Sequence, residues 1–182
     1  GKISFGDRLF HCWKTRGHGS MNIITAIQES CDVFFYELSI KVGIDKIAKV
    51  AKDFGLGQIY PIKILNQKKG IIPSKKWKKE NLNESWYGGE TLITAIGQGF
   101  VLVTPLQLAV MTSRIASGGK KILPSILNNN DLINFEAMTE YSKEIKVIQK
   151  AMFKVVNEKK GTANKSKSKN FVFAGKTGTS QV

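Results

Sequence analysis

Residues 170–182 read NFVFAGKTGTSQV: a short apolar run into Gly175, then an ammonium, two hydroxyls and a bare glycine, Lys176-Thr177-Gly178-Thr179. The pattern predicts a strand from Phe171, held by its Phe and Val residues and left polar at its end. A lone strand leaves both edges unpaired, so its sheet partners are expected outside this chain.

Upstream of that strand the pattern is helical. Residues 22–42, NIITAIQESCDVFFYELSIKV, carry apolar positions at helical spacing, interrupted by Ser30-Cys31-Asp32. Ser and Asp side chains compete with helical backbone for hydrogen bonds, so a tight turn is expected there. A second helix over 44–54 places Ile44, Ile47, Ala48, Ala51 and Phe54 on one face and stops at Gly55. Thr104-Pro105 opens a third, an N-cap hydroxyl followed by proline, which runs to Gly118-Gly119. A last helix over 142–158 buries Ile145, Ile148, Met152 and Val155 and ends near Gly161, before the lysine-rich NKSKSKN loop. Residues 60–91 read as irregular, with one strand-like run near Ile62 to Leu65, and Asn128 to Asp131 read as a turn. The result is helix-dominated, with one strand at its end.

Composition bounds the function. The chain has 182 residues and a formal net charge of +14, drawn almost wholly from lysine, since Arg8, Arg16 and Arg114 are its arginines. Base reading and bidentate phosphate clamps favour the planar Arg fork. Lys75, Lys76, Lys78 and Lys79 around Trp77 read as a solvated polar loop, and no nucleic-acid partner is expected. Trp77 reads as a small satellite core. No apolar run approaches the roughly 18 residues of a membrane helix, and GKISFGDRLF lacks the pattern of a signal peptide.

Two constellations carry chemistry. Acyl transfer to a serine needs a proton relay, a cation for a substrate carboxylate, and backbone N–H groups for an oxyanion. The Ser30-x-Asp32 turn offers a hydroxyl beside a carboxylate; Lys176-Thr177-Gly178-Thr179 offers the cation, hydroxyls and open backbone. Helix capping is the plain alternative for Ser30 and Asp32.

These pieces, with WYGGET, IGQG and TPLQLA between them, stand in the order of a family's signature. The chain resembles the transpeptidase domain of class B penicillin-binding proteins, closest to the penicillin-binding protein 2 members of the elongation machinery. The resemblance implies an α/β (α+β) fold like that of serine β-lactamases, here mostly its helical part plus the edge strand bearing Lys-Thr-Gly, with an incomplete sheet. It implies a peptidoglycan D,D-transpeptidase that works through a serine acyl-enzyme and binds penicillins. Ser30 would relay protons, Asp32 would hydrogen-bond the nucleophile's lysine or the substrate backbone, and Lys176 would draw in the substrate carboxylate. Thr177, Gly178 and Thr179 would bind the substrate strand, with the Thr179 N–H in the oxyanion hole, and Tyr87 to Thr91 would form a groove rim. Stem peptides, β-lactams and elongation partners including a glycan polymerase would be its ligands, on an inner-membrane anchor with this domain in the periplasm. No redox or nucleotide cofactor is implied.

Two departures matter. The second motif of the family usually ends in Asn, and an ionised Asp32 cannot donate. No Ser-x-x-Lys suits the nucleophile: Ser117 to Lys120 follows a helix end and Ser166 to Lys169 lies in the basic loop. Residues 1–182 are therefore expected to be part of a transpeptidase domain, with the nucleophile upstream, further strands downstream, and neither activity nor a stable fold alone. A rival enzyme is a serine β-lactamase or penicillin sensor, disfavoured by the long helical stretch between motifs and by IGQG with TPLQLA. A rival from another class is a basic zinc module binding anionic polymer.

Cys12, His18 and Cys31 fall close together in sequence and offer ligands suited to tetrahedral zinc. The fourth ligand is expected upstream, with Asp7 as the alternative within the chain. A Cys12–Cys31 disulfide or two unpaired thiols are the other readings. A bond of either kind would tether the loop at residue 12 to the Ser30 turn.

Overall fold

The computed structural model describes residues 1–62, 66–126 and 134–180. The Asn128–Asp131 turn, and most of the Ile62–Leu65 run, lie outside the described residues.

The chain opens with a hairpin that the helical reading did not anticipate. Strands β1 (Lys2–Phe5) and β2 (Arg8–His11) pair antiparallel, Lys2 opposite His11 and Phe5 opposite Arg8. Gly6 at φ +60 takes the first loop position, where a two-residue hairpin needs a left-handed residue.

The helix expected over 22–42 is two helices, α1 (Ile23–Gln28) and α2 (Asp32–Val42), divided at Ser30 as expected. Asn22 and Thr25 cap α1 reciprocally. Ser30 itself lies at φ +53, which reverses the chain between the two helices. Helix α3 (Ile44–Asp53) buries Ile44 and Ala48, matching the expected face in part, and the chain leaves it past Phe54 and Gly55.

The stretch read as irregular contains two helices, α4 (Lys75–Leu82) and α5 (Gly88–Ala95). Helix α4 has no apolar stripe; the Ser74 hydroxyl caps it by accepting from the Trp77 N–H, and its one buried residue is Lys78. That lysine departs from the solvated reading of its neighbours. Its ammonium pairs with Glu90 and, at 3.2 Å, with Glu84, and lies 4.5 Å from the Tyr87 ring centroid. Burial works against its charge, but the hydrogen bonds to Glu90 and Glu84 outweigh it and hold its pKa above the usual lysine range. Trp77 packs against Phe100, centroids 5.3 Å apart, as a satellite contact.

Helix α6 (Pro105–Ala116) begins as expected, the Thr104 hydroxyl accepting from the Gln107 N–H. The TPLQLA stretch is explained by Gln107, which is buried and donates to the carbonyls of Gln58 (2.8 Å) and Lys69 (2.9 Å) while accepting from the Gly57 N–H (3.2 Å). One buried amide thereby pins Gly57 and Gln58 to Lys69 and satisfies their backbone groups. Helix α7 (Ser142–Asn157) follows.

Helix α1 packs on α7, and α2 on α5. Ile27, Ala151 and Val155 form the first contact, flanked by Ile23, Ile24, Phe35 and Ile148. Cys12, Ala26 and Cys31 form a second cluster with Met21, Val33, Phe34 and Phe35. Successive residues of α1, Ala26 and Ile27, thus face different clusters, and Phe35 joins both.

Among the described residues, 171–180 form no ladder, so the expected terminal strand is not a strand here. The segment is held instead by single hydrogen bonds: the Gly175 N–H to the Met152 carbonyl (3.2 Å) and the Asn157 amide to the Phe173 carbonyl (2.8 Å). The fold is the helix-rich one expected, with a small two-stranded open sheet elsewhere than anticipated.

Candidate functional site

The Ser30 turn is built from the end of α1. The Ser30 N–H donates to the Ile27 carbonyl (3.3 Å) and the Cys31 N–H to the Ala26 carbonyl (2.9 Å). A non-glycine residue in the left-handed region persists only where its surroundings impose it. Here they aim the Ser30 hydroxyl across the fold.

Its partner lies 146 residues away. The Lys176 ammonium donates to Ser30 Oγ at 2.9 Å, and to the carbonyl and hydroxyl of Thr177 at 2.9 and 3.2 Å. In a regular strand Lys176 and Thr177 would point to opposite faces; without a ladder, the lysine curls back and both polar ends gather on one side. Thr177 Oγ1 also meets Thr162 Oγ1 at 2.9 Å. Lys176 is exposed as a residue, yet three protein oxygens within hydrogen-bond reach of its ammonium take the place of part of its water. That desolvation lowers its pKa, and the Asp32 carboxylate only partly restores it.

Asp32 stands at the start of α2, where a carboxylate suits the helix dipole. Its Oδ2 accepts from the Trp13 N–H at 3.0 Å. The Trp13 indole N–H donates to the carbonyls of Ser30 (2.8 Å) and Glu29 (3.2 Å). Thr179 is fixed from another side, its carbonyl accepting from the Gln98 amide at 2.8 Å, while Gln98 Oε1 is buried with no partner among the described residues. At Gly178 an added Cβ would meet nothing within 4 Å. Nothing inside the described chain therefore requires a glycine there, and the backbone lies open to an approaching ligand.

The third expected group also assembles. Ligand atoms of Cys12, His18 and Cys31 lie within 4.8 Å of one another, with Cys12 Sγ 3.6 Å from His18 Nδ1. Zinc bonds of about 2.3 Å to sulfur and about 2.0–2.1 Å to nitrogen make such a cluster fit one ion. His18 Nε2 is buried without a hydrogen-bond partner among the described residues, and burial lowers the His18 pKa, favouring the neutral ring a metal needs. Both thiols are free and buried, without the disulfide bond, and burial raises the Cys31 pKa. Gly17, at φ +75, lets the loop pass so near Gly1 that an added Cβ would come 2.7 Å from its nitrogen. Gly1 lines a pocket with Cys12, His18 and Cys31. Asp7 sits in the hairpin turn and is not in the cluster.

Ser117 and Ser166 are placed as expected for bystanders. Ser117 Oγ caps the end of α6, donating to the Arg114 carbonyl and accepting from the Lys120 N–H; Ser166 ends a 3-10 turn in the basic loop. Sequence reasoning missed Trp13, Gln98 and Thr162. Gln98 lies in the quoted IGQG and Trp13 beside a candidate ligand; Thr162 had no signal.

A family model described as the penicillin binding protein transpeptidase domain matches residues 1–182. Peptidoglycan D,D-transpeptidase MrdA of Haemophilus influenzae is 33% identical, over 96% of this chain and 29% of the relative. The structure of a complex between PBP2 and MreC from Helicobacter pylori matches with a TM-score of 0.91 at 38% identity, covering 100% of this chain and 34% of that one. The crystal structure of Pseudomonas aeruginosa PBP2 in complex with WCK 5153 matches at 0.85 and 31%, covering 100% and 42%. The chain spans less than half the length of each of these relatives.

Proposed function

This chain belongs to the penicillin-binding protein transpeptidase family, and on that premise we propose that the whole protein is a peptidoglycan D,D-transpeptidase of cell elongation. The relatives described as peptidoglycan D,D-transpeptidases and as PBP2 support the reading. The observation that carries it is the hydrogen bond between Lys176 and Ser30, which joins the two motifs.

The nucleophile is a serine outside residues 1–182, three places before a lysine. Its hydroxyl attacks the carbonyl of the penultimate D-Ala of a stem peptide, and the terminal D-Ala leaves. An amine of a neighbouring stem peptide then attacks the acyl-serine and forms the cross-link. Ser30 relays the proton from the nucleophile's side to the leaving amine, with Lys176 on the far side of the relay. The lowered pKa of Lys176 suits a group that both holds an anion and passes a proton. Lys176, Thr177 and Thr179 bind the substrate carboxylate, Gly178 leaves room for its backbone, and the Thr179 N–H stabilises the oxyanion. Asp32, held to the Trp13 N–H, keeps one oxygen for the nucleophile's lysine. Penicillins enter as substrate mimics and remain as acyl-enzymes.

Cys12, His18 and Cys31 would hold a zinc ion, leaving a fourth position for a further donor. Bound there, zinc would cross-link the loop at residue 12 to the Ser30 turn; the reaction needs no cofactor. The relative solved with MreC supports an elongation-machinery partner, and a glycan polymerase supplies the strands. The domain works on the periplasmic side of the inner membrane, anchored by an upstream helix; no described helix of this chain is long and apolar enough to cross a membrane.

The test is labelling of the full-length protein with a fluorescent penicillin. One stable label per molecule, formed much more slowly in Ser30→Ala, is expected. Continuous hydrolysis over many turnovers points to a β-lactamase instead, and no labelling rejects the acyl-transfer reading.

A further inference from the structure

We propose that Trp13 is a positioning residue for acyl transfer: its indole N–H grips the carbonyls of Glu29 and Ser30, on either side of the Ser30 Cα, and so keeps the Ser30 hydroxyl aimed at Lys176. The proposal rests on the acyl-transfer reading above.

Trp13 touches the turn through two different groups. Its indole N–H lies 2.8 Å from the Ser30 carbonyl and 3.2 Å from that of Glu29. Its backbone N–H lies 3.0 Å from Asp32 Oδ2. Glu29, Ser30 and Asp32 are thus all bound by one residue of the loop after β2. Within the turn, the Ser30 N–H bonds the Ile27 carbonyl at 3.3 Å and the Cys31 N–H bonds the Ala26 carbonyl at 2.9 Å, around a Ser30 φ of +53. That backbone conformation is disfavoured for a residue with a Cβ and needs outside restraint.

The tryptophan is not there for the core. It is 61% exposed, so its ring contributes little apolar burial. Beyond the hydrogen bonds, its ring meets His18 edge-on, centroids 5.3 Å apart. The side chain therefore braces the His18 loop against the turn and donates its single N–H to the turn's carbonyls. Releasing those carbonyls frees the peptide planes on which the direction of Ser30 Oγ depends, and small misplacements of a reacting group are costly in rate.

Trp13→Phe in the full-length protein keeps a ring beside His18 and removes the donor. Expected is a fall of about tenfold in the limiting rate of penicillin acylation, with the pre-covalent affinity and Tm unchanged. A purely structural role moves Tm and leaves the limiting rate alone. If Trp13→Phe fails to fold, benzothienylalanine at position 13 retains the bicyclic shape with sulfur in place of N–H, and the same fall is expected. A wild-type limiting rate in the variant that folds overturns the positioning role. If the unaltered protein is not acylated, the acyl-transfer reading itself fails, which is a separate result.

Discussion

The Ser30 turn and the segment carrying Lys176 meet at one hydrogen bond but are held in different ways. The turn is fixed by backbone bonds to Ala26 and Ile27, by the Trp13 indole, and by a buried cluster of Cys12, Ala26 and Cys31. The segment has no ladder among the described residues and hangs on single bonds from Met152, Asn157, Thr162 and Gln98. The turn side is held at several points. The other is an irregular segment, and it carries the open Gly178 backbone. On the proposed reading, a turn held by several bonds facing a segment held by few suits docking of an extended peptide followed by proton transfer in fixed geometry.

The largest expected effect lies at the junction. Lys176→Ala in the full-length protein should slow penicillin acylation by about 10²–10⁴-fold, the usual cost of losing a proton-transfer group. Stopped-flow acylation rates check it, and a loss under fivefold would make that segment dispensable. On the turn side, Ile27→Ala should lower the unfolding free energy by about 2–5 kcal/mol, because Ile27 packs on Ala151 and Val155. Denaturant titration measures this; an unchanged midpoint would mean the α1–α7 contact does not carry the turn.

If zinc binds as proposed, Cys31→Ser should remove it and slow acylation, since Cys31 is one of the three clustered ligands and lies between Ser30 and Asp32. Metal analysis beside acylation rates decides it, and unchanged acylation after metal loss defeats the tether. On the segment side, Gln98→Ala should reduce acylation about tenfold while leaving Tm in place, because it frees the Thr179 carbonyl without opening the core. Equal loss of Tm and rate would reclassify Gln98 as part of the body.

The smallest effect is electrostatic. Desolvation lowers the Lys176 pKa and the Asp32 carboxylate raises it. Removing that negative charge stabilises the neutral amine, so Asp32→Asn should lower the pKa further. Competitive acetylation of Lys176 against pH, read by mass spectrometry, follows it; a rise in pKa would show that Asp32 acts through something other than charge.

What the sequence revealed follows the same division. Helices with an apolar face, such as α3 and α7, and the capped start of α6 were legible because periodicity and capping are local. Ser30-Cys31-Asp32 was legible as a break, since short polar side chains interrupt helical bonding. Helix α4 was not, because its one buried residue is a lysine whose partners, Glu84 and Glu90, lie outside the helix. Helix α5 opens on Gly88-Gly89, poor helix formers, and relies on Glu90 accepting from the Tyr87 N–H. The hairpin at Lys2–His11 had its signal in Gly6-Asp7 between two alternating runs and was passed over. At the other end, the apolar run from Phe171 suggested a strand, but a strand exists only with neighbours. Residue types identified Ser30, Asp32 and Lys176 as candidates. That Trp13 and Gln98 grip them depended on contacts between loops far apart in sequence, which no local pattern encodes.

The central claim is that Ser30 and Lys176 work as one unit. A double-mutant cycle on penicillin acylation of the full-length protein, with Ser30→Ala, Lys176→Ala and the pair, tests it most directly. If the two share one proton path, the double variant is about as slow as the slower single one. Fully multiplying losses would show that the 2.9 Å contact joins two independent groups.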